Sequence, residues 1–462
     1  DLYWLAWKTA WNHVVWRNGI PCSPYMDEGF DPERIWIWDT CFMVHFCKYS
    51  PEQFPGIQSF DNFYEPMHDG APSSLKIQHP DNPPLFAWTE YEYFKFTGDD
   101  RRLRRIIQEN RYLQRHFDFI ENAVPGLVPP YAICPIAAHR TRYGYRWEGC
   151  PNGMDNTPRG GAARHSRDFD EHEDILWLDL LAQQGLSALY IARLSRVIGA
   201  YAEAIEFEAR YKAIKELVNR YYWNETDRIY YDIRAERPEE QVKVQTPASW
   251  WPLLAEMCDR HQAEALRSHA VNPETFGGDM PFPSVARNDK SFVKEGMYWR
   301  GGIWVPLAYM LTKALTKHNF MAESDVLAER LVRHMCRTWK EYEPHTIWEC
   351  YSPTEAKPAT AKDNKEIVRP DFCGWSALGP IAMLIENVLG FHDVDALTRT
   401  IKWRKHQNGR HGIKRLRFGG ITTDIIADAG EIRVSSNADY KLEINGNIFA
   451  IKIGETVIKE KT

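Results

Sequence analysis

Two kinds of helical pattern alternate along most of this chain, and together they limit the folds open to it. The stretches 303–315 and 372–389 are apolar on nearly every side, whereas 101–122 and 202–222 carry charged residues between apolar ones. A helix that is apolar all round is buried on every side, while an amphipathic helix covers a core with one face. This alternation predicts a mainly α fold, an (α/α)6 barrel (toroid) of about twelve helices in two rings over residues 1–392.

An α-solenoid is the competing all-helical fold. Solenoids repeat one helical unit with a period of roughly 34–47 residues. No such repeat is visible in the sequence. The closed barrel is therefore the favoured prediction.

The pattern changes after residue 390. Short alternating runs are separated by Asn-Gly, Asn-Ala-Asp and Gly-Glu turns, which is typical of a β-meander. These runs lie at 421–426, 431–434, 441–444 and 448–453. We expect a small C-terminal β-strand-rich domain over residues 405–462, packed on the barrel because it is too short for a large core of its own.

Composition excludes several classes of function. A net charge of −6 offers no basic face for nucleic acid. No apolar run approaches the ~18 residues of a membrane span, so we expect a soluble protein without a membrane partner. It is either cytoplasmic, or periplasmic or secreted with a removed signal. The nine cysteines form no Cys-x-x-Cys pair, which argues against a zinc site. The oligomeric state stays open.

Two irregular loops each carry a carboxylate among polar and aromatic residues. The loop 147–161 is rich in glycine and proline and contains Asp155, and the loop 341–354 contains Glu349. Glycoside hydrolysis needs one carboxyl group on each side of the scissile bond. Neighbours in sequence cannot easily face each other across a sugar, so such a pair comes from different loops. Asp155 and Glu349 are the predicted catalytic pair, although Asp155 could instead cap an ordinary surface turn.

Aromatic, amide and cationic side chains near these loops are the predicted walls of a sugar site. Tryptophan rings stack on sugar faces, and polar groups fix the orientation of the ring. Each tryptophan could equally pack in the core, and Asp39 could pair with an arginine. The predicted substrate contacts are Trp36, Trp38, Asp39, Trp88, Asn156, Arg159, Trp299, Arg300, Trp304 and Trp375.

Six motifs in order resemble glycoside hydrolase family 63, which groups processing α-glucosidases, mannosylglycerate hydrolases and bacterial α-glycosidases on an (α/α)6 barrel. They are Trp-Ile-Trp-Asp-Thr, Pro-Pro-Leu-Phe-Ala-Trp, Gly-Met-Asp-Asn-Thr-Pro-Arg, Tyr-Trp-Arg-Gly-Gly-Ile-Trp, Trp-Glu-Cys-Tyr-Ser-Pro and Phe-Cys-Gly-Trp-Ser-Ala, at 36–40, 83–88, 153–159, 298–304, 348–353 and 372–377. Each motif alone is weak, but six in the family's order form a strong signal.

The resemblance implies roles for three carboxylates. Asp155 matches the family's general acid, Glu349 its general base, and Asp39 an acidic residue that binds sugar hydroxyls in the −1 subsite. The family inverts configuration, so Glu349 is expected to activate a water molecule. The implied enzyme is an inverting α-glycosidase acting on an α-linked glycoside or oligosaccharide, with an α-glucoside as the expected substrate.

Three alternatives remain open at this point. A trehalase-like hydrolase or a glycoside phosphorylase could use the same barrel, although a phosphorylase would replace the base with a cationic anion pocket. A carbohydrate-binding protein without catalysis has no reason to keep both Asp155 and Glu349. The partner expected in every case is a small carbohydrate.

No cofactor or bound metal is expected. Lone histidines such as His79 and His345 lack the spacing of metal ligands. Structural calcium could occupy the oxygen-rich turns 224–227 and 287–290, but neither has the pattern of a known calcium loop.

Overall fold

A computed structural model describes residues 1–29, 31–147, 149–160 and 174–459. Glu148 and Gly161 of the predicted first loop lie outside these ranges. The helices are α1 (Leu2–Asn12), α2 (Ile37–Cys47), α3 (Asp61–Tyr64), α4 (Phe86–Thr97), α5 (Asp100–Arg104), α6 (Tyr112–Glu121), α7 (Leu178–Val197), α8 (Tyr201–Leu217), α9 (Trp251–Leu254), α10 (Arg260–Val271), α11 (Val305–Lys317), α12 (Met321–Glu341) and α13 (Gly379–Val388), the last with π geometry.

Several helices are extended by tighter or wider turns. The 3₁₀ turns Ile57–Phe60, Pro247–Trp250 and Ser376–Leu378 precede α3, α9 and α13. The π turns Glu65–Asp69, Arg105–Glu109 and Val218–Tyr222 follow α3, α5 and α8. These extensions lengthen α3, α5 and α9, which are otherwise only one or two turns long.

Six helices form a closed inner ring. Helices α2, α4, α7, α9, α11 and α13 contact one another in that order, and α13 also contacts α2. Every residue of α2 is buried, and α7 and α11 are buried on nearly all sides. The outer helices expose one face, as in α8, which buries only Ala204, Phe207 and Ile214. The (α/α)6 barrel is confirmed, and the closed ring excludes the solenoid.

Short strands lie between the helices and form small sheets of two or three strands. They are β1 (Val14–Val15), β2 (Tyr25–Met26), β3 (Arg34–Ile35), β4 (Lys76–Ile77), β5 (His139–Arg140), β6 (Tyr145–Arg146), β7 (Ile175–Leu176), β8 (Trp223–Asn224), β9 (Ile229–Tyr230), β10 (Asp232–Arg234) and β11 (Gln241–Val242). Among them, β10 pairs with both β7 and β11, so it ties the start of α7 to the loop before α9.

The C-terminal part contains two four-stranded sheets. Its strands are β12 (Asp393–Asp395), β13 (Thr400–Trp403), β14 (His411–Phe418), β15 (Ile421–Asp428), β16 (Glu431–Ser436), β17 (Tyr440–Ile444), β18 (Asn447–Ile451) and β19 (Gly454–Lys459). One sheet has the order β12-β13-β17-β18 and the other β14-β15-β16-β19. The four predicted strand runs are present, but the chain passes between two sheets where a single meander was expected. The division into domains at 1–392 and 405–462 stays a prediction. The strands β12 and β13 lie between these two ranges, although they belong to one of the C-terminal sheets.

No helix in the described ranges is both long enough and apolar enough to cross a membrane.

Candidate active site

Three carboxylates from distant parts of the chain share one end of the barrel. Asp39 lies in the first turn of α2, Asp155 in the segment 149–160, here called the acid loop, and Glu349 in the segment 343–370, here called the base loop. The charges of Asp155 and Glu349 both raise the pKa of Asp39, and Asp155 also raises that of Glu349. Coulomb interactions weaken with distance, so this mutual influence shows that the groups converge.

Asp39 is as deeply buried as Glu349. Its side chain is 3% exposed, and its Oδ2 atom has no hydrogen-bond partner in the described part of the chain. Burial raises the pKa of Asp39 well above its usual range, and the two neighbouring carboxylates raise it further. The two charged groups that shift its pKa are both carboxylates. A buried polar atom without a partner is costly, so this carboxyl group is placed to receive a ligand hydroxyl.

Glu349 is also buried, but it has two donors. The hydroxyl of Tyr298 donates to Oε1 at 2.7 Å, and the amide of Arg369 donates to Oε2 at 3.4 Å. Burial raises the pKa of Glu349, while these hydrogen bonds oppose the rise. A carboxylate with a raised pKa that is still held in its ionised form by donors suits a general base.

Asp155 is the most open of the three, with 22% of its side chain exposed. The ammonium group of Lys362 lies 2.5 Å from its Oδ2 atom and 5.0 Å from the centre of the Tyr298 ring. Lys362 therefore connects the acid loop to the residue that holds Glu349. The sequence offered no motif that marks this lysine, and it was not predicted as a site residue.

A strained bend presents Tyr298 to Glu349. Met297 and Tyr298 have φ values of 39° and 62°, a region that side-chain-bearing residues seldom adopt. The Asn156 amide stabilises this bend: it donates to the Met297 carbonyl at 3.0 Å and accepts from the Trp299 amide at 2.8 Å. Asn156 was predicted to contact substrate. Its side chain is instead committed to the backbone, so it ties the acid loop to the bend.

Arg159 has a structural role that differs from the predicted substrate contact. Its guanidinium is buried, donating to Asp179 at 2.7 Å and to Asp232 at 2.5 Å. It also lies over the Trp177 ring, 4.6 Å from the ring centre. With its donors engaged by two carboxylates, Arg159 anchors the acid loop to α7 and β10.

The predicted tryptophan platforms are mostly packed inside the protein. Trp299 and Trp304 stack face to face at 3.8 Å and are fully buried. Trp88 is fully buried against the His45 ring at 4.4 Å. These three form core, because protein already covers their faces.

The remaining aromatic and cationic predictions concern four residues that are slightly less enclosed. Trp38 and Trp375 are almost buried and pack edge to face at 5.4 Å. The Trp375 indole also donates to the Glu349 carbonyl at 3.4 Å. Trp36 is half-buried at the start of α2, and Arg300 is buried beside Trp299. The assignment of these four residues to sugar contact stays a prediction.

His79 is a further site residue that the sequence did not reveal. Burial lowers its pKa to about 4, although the charge of Asp155 opposes this. Its Nδ1 atom is buried and has no partner in the described ranges. A lone histidine in a loop gives no sequence signal, and only the fold places it beside Asp155.

The described residues bring together no group of three His, Cys, Asp or Glu side chains suited to a metal ion. In the turn 224–227, Asn224 Oδ1 accepts from the Asp227 amide, and Asp227 pairs with Lys243 at 2.8 Å. In the turn 287–290, Asp289 accepts from the Ser291 amide at 2.8 Å. Protein donors thus already bind oxygens in both turns. That the protein needs no cofactor or metal stays a prediction.

A closed α/α barrel with carboxylates converging at one end is the arrangement of a glycoside hydrolase. A family model for the mannosylglycerate hydrolase MGH1-like glycoside hydrolase domain matches residues 68–365. The chain belongs to this family, and it is a glycoside hydrolase of the inverting α-glycosidase class.

Two relatives and one solved structure place the chain among known proteins. It is 23% identical to the mannosyl-oligosaccharide glucosidase of Saccharomyces cerevisiae over 60% of this chain and 34% of that protein. It is 29% identical to the mannosylglycerate hydrolase of Rubrobacter radiotolerans over 37% of this chain and 38% of that protein. The chain thus spans about a third of the length of these relatives. The GH63 mannosylglycerate hydrolase of Thermus thermophilus superposes with a TM-score of 0.57 at 16% identity, over 83% of this chain and all of that one.

Proposed function

We propose that this enzyme hydrolyses a small α-glycoside with Asp155 as general acid and Glu349 as general base. The observation that carries the proposal is the contrast between the two carboxylates. Glu349 is enclosed and accepts hydrogen bonds from Tyr298 and Arg369, whereas Asp155 is more open, on a different loop. Inverting hydrolysis requires this division, with one carboxyl group that gives a proton and one that takes a proton from water.

The proposed reaction needs no covalent intermediate. Asp155 gives its proton to the glycosidic oxygen as the bond to the anomeric carbon breaks. A water molecule attacks that carbon from the opposite face, and Glu349 takes a proton from this water. Asp155 then regains a proton from solvent, and Glu349 loses one. Asp39, whose Oδ2 atom has no protein partner in the described ranges, would hold a hydroxyl of the sugar undergoing hydrolysis.

An α-glucoside is the proposed substrate, with an α-mannoside as the second candidate. The names of the two relatives, a mannosyl-oligosaccharide glucosidase and a mannosylglycerate hydrolase, support these two sugars. A phosphorylase is less favoured, because its phosphate nucleophile would have to bind where the buried Glu349 carboxylate lies. Sugar release from a panel of α-glucosides, α-mannosides, α-galactosides and trehalose would separate these substrates.

The catalytic roles are tested by assaying two variants, each on one substrate whose leaving group needs protonation and on one whose leaving group does not. We expect Asp155→Asn to lose about 10²–10⁴-fold in kcat/KM on an alkyl glycoside but far less on a glycosyl fluoride, whose departure needs little protonation. Glu349→Gln is expected to lose about 10²–10⁴-fold on both, because the attacking water has no base.

Glu366→Gln is the matched control, since it makes the same carboxylate-to-amide change at an exposed position of the base loop. It should behave as the unmodified enzyme on both substrates. Equal losses for Asp155→Asn on the alkyl glycoside and the fluoride would contradict its assignment as the acid.

A further inference from the structure

A cavity of about 540 Å³ lies between the barrel and the C-terminal sheets. Its walls come mainly from the ends of α2, α4 and α11, from β13, and from the turn between β17 and β18. The catalytic carboxylates are at the other end of the barrel, because Asp39 lies in the first turn of α2, whereas Lys48, in the cavity wall, follows its last residue. The length of α2, 11 residues or about 16 Å, therefore separates the cavity from the catalytic site.

Cations outnumber carboxylates on the walls of this cavity. The cations are Lys48, Lys95, Lys313, Lys317, Lys402 and Arg404, and the carboxylates are Glu92, Glu386, Asp393 and Glu443. Arg404 is already paired with Asp325, which does not line the cavity. The five lysines still exceed the four carboxylates in number, so the charge of the walls favours an anion as the ligand.

Two of these carboxylates are each shared by two lysines. The pairs are Lys48 and Lys313 on Glu386, and Lys95 and Lys402 on Asp393. Their N–O distances range from 2.5 to 3.6 Å. An ammonium group has three donors, so a lysine that shares a carboxylate can still donate to a ligand. Several ammonium groups around one cavity suit a phosphate, whose three terminal oxygens are strong acceptors.

Glu92 lies close to the lysines without contacting them. It lines the cavity, and in the described ranges it has neither a hydrogen bond nor an ion pair. Burial raises the pKa of Glu92, but four ammonium groups, led by those of Lys313 and Lys317, outweigh burial and lower the pKa below its usual range. The ionised Glu92 can accept a hydrogen bond from a ligand hydroxyl. An anion that also carries hydroxyl groups therefore matches both kinds of wall residue.

The aromatic residues of the cavity indicate the size of the ligand. Phe391 and Trp403 stack on each other at 4.8 Å, and these two side chains and Phe96 are at most 3% exposed. A nucleobase would need an open aromatic face on which to stack, and these three rings offer none. A volume of about 540 Å³ is in the range of small-molecule pockets. A phosphorylated monosaccharide thus fits better than a nucleotide.

We propose that this cavity is a second ligand site, which binds the phosphate monoester of a small sugar away from the catalytic carboxylates. Lys317 and Lys402 bind phosphate oxygens together with the other wall lysines, and Glu92 accepts a sugar hydroxyl. Because Lys317 belongs to the barrel and Lys402 to a C-terminal sheet, the ligand also joins these two parts. The inference does not depend on the proposed roles of Asp155 and Glu349.

Calorimetric titration with glucose 6-phosphate tests the site. Lys317 and Lys402 form only long ion pairs, at 3.8 Å with Glu256 and at 3.6 Å with Asp393, so their replacement should leave the fold intact. We expect Lys317→Gln and Lys402→Gln each to weaken binding about tenfold, the effect of one hydrogen bond to a charged group. Lys441→Gln is the matched control and should bind normally, because Lys441 is exposed on β17 and does not line the cavity.

Further titrations define which parts of the ligand are recognised. Glucose 6-phosphate should bind about tenfold or more tightly than inorganic phosphate, gluconate or glucose, because each of these lacks the hydroxyl groups or the phosphate. Glu92→Gln should bind inorganic phosphate at least as tightly as the unmodified enzyme, since a like charge has been removed. The same variant should lose most of the preference for the sugar phosphate over inorganic phosphate.

Asp39→Asn separates this cavity from the catalytic site, and it should bind glucose 6-phosphate as tightly as the unmodified enzyme. Weakened binding in Asp39→Asn would place the ligand at the catalytic carboxylates and overturn the inference. Equal affinities of the unmodified enzyme, Lys317→Gln and Lys402→Gln would also overturn it, as would inorganic phosphate or gluconate binding as tightly as glucose 6-phosphate. An absence of binding would overturn it as well. The proposed hydrolysis would stand in each of these cases.

Discussion

At the scale of single residues, the hydrogen-bond donors around a buried carboxyl group decide what it can do. Asp39 and Asp81 are both buried, and each has one oxygen without a partner in the described ranges. Asp81 differs in that its Oδ2 atom accepts the amides of Ala137 and Ala138 at 2.8 and 2.7 Å. Two backbone amides hold Asp81 in the fold, whereas the charges of two other carboxylates act on Asp39, so Asp39 is the better candidate for a ligand contact.

Replacing Asp39 by asparagine should therefore weaken catalysis and leave the fold intact. We expect Asp39→Asn to lower kcat/KM by about 10–100-fold, because an amide group replaces one carboxyl oxygen, and with it an acceptor for a sugar hydroxyl, by a donor. The melting temperature should not fall. Asp81→Asn should show the opposite pattern, with a lower melting temperature and little change in kcat/KM. Normal kinetics with a lowered melting temperature in Asp39→Asn would identify Asp39 as a structural residue.

Residue roles were only partly predictable from the sequence. Asp155, Glu349 and Asp39 stand in motifs, so the resemblance alone could single them out. Lys362 and His79 lie outside those motifs, and Asn156 and Arg159 lie inside one yet bind protein. Their partners are far away in sequence: Asn156 bonds to residues 141 and 143 positions further on. Such pairings depend on the folded barrel, and local patterns do not encode them.

At the scale of elements, the acid loop is positioned by close packing on Trp38. A Cβ atom at Gly153 would lie 2.4 Å from the Trp38 ring, and the φ angle of 81° also favours glycine. The loop backbone therefore rests directly on the indole, two residues before Asp155. Arg159 fixes the other end of the loop through Asp179 and Asp232.

Gly153→Ala should lift the acid loop from Trp38 and displace Asp155. A displacement of about 1 Å at a catalytic group can cost about 10²-fold in rate, so we expect a loss in kcat of that order. Gly70→Ala is the matched control: Gly70 has a φ of 70° with no atom within 4 Å of the added Cβ. Both variants should lose some stability because alanine disfavours a positive φ, Gly153→Ala should lose more because of the contact with Trp38, and only Gly153→Ala should lose activity. Equal kcat values would show that the loop position is not critical.

At the scale of the whole molecule, a buried charge cluster closes the inner ring. Glu386 on α13 accepts hydrogen bonds from Lys48, just after α2, and from Lys313 on α11, both at 3.0 Å. Tyr49 and Tyr309 also donate to it. Burial would raise the pKa of Glu386, but the ammonium groups of Lys313 and Lys48 outweigh it and lower the pKa to about 2. The last inner helix is thus held to the first.

Glu386→Gln should destabilise the barrel strongly, because it removes the carboxylate to which two buried ammonium groups are hydrogen-bonded. The expected cost in the free energy of unfolding is about 3–5 kcal/mol. Denaturant unfolding measures it, and Glu52→Gln, in the exposed pair with Arg417, should cost at most about 1 kcal/mol. A cost for Glu386→Gln as small as that of Glu52→Gln would contradict the ring-closing role.

The lowered pKa of Glu386 predicts that the free energy of unfolding depends on pH. Because the folded pKa is lower than the unfolded one, the contribution of Glu386 is present above the unfolded value of 4.5 and is lost as the pH falls to about 2. At 1.36 kcal/mol per unit, the shift corresponds to about 3 kcal/mol. Glu386→Gln should therefore flatten the fall in stability over this pH range. An unchanged slope would contradict the pairing.

The barrel itself was largely predictable, since a helix buried on all sides has a distinct pattern and the alternation of two helix kinds implies two rings. The C-terminal topology was not. Alternating runs identify strands such as β15 and β17, but the parallel pairing of β13 with β17 joins residues about 40 positions apart and leaves no local signature. Ring closure through Glu386 is equally hidden, because its partners lie on two other helices.

The anomer formed first from an α-linked substrate tests the proposed mechanism most directly. Proton NMR resolves the two anomers before mutarotation mixes them. If Glu349 directs water to the face opposite the leaving group activated by Asp155, the β-anomer appears first and the α-anomer follows by mutarotation. If the α-anomer appears first, configuration is retained, and both the inverting mechanism and the role of Glu349 as general base are contradicted.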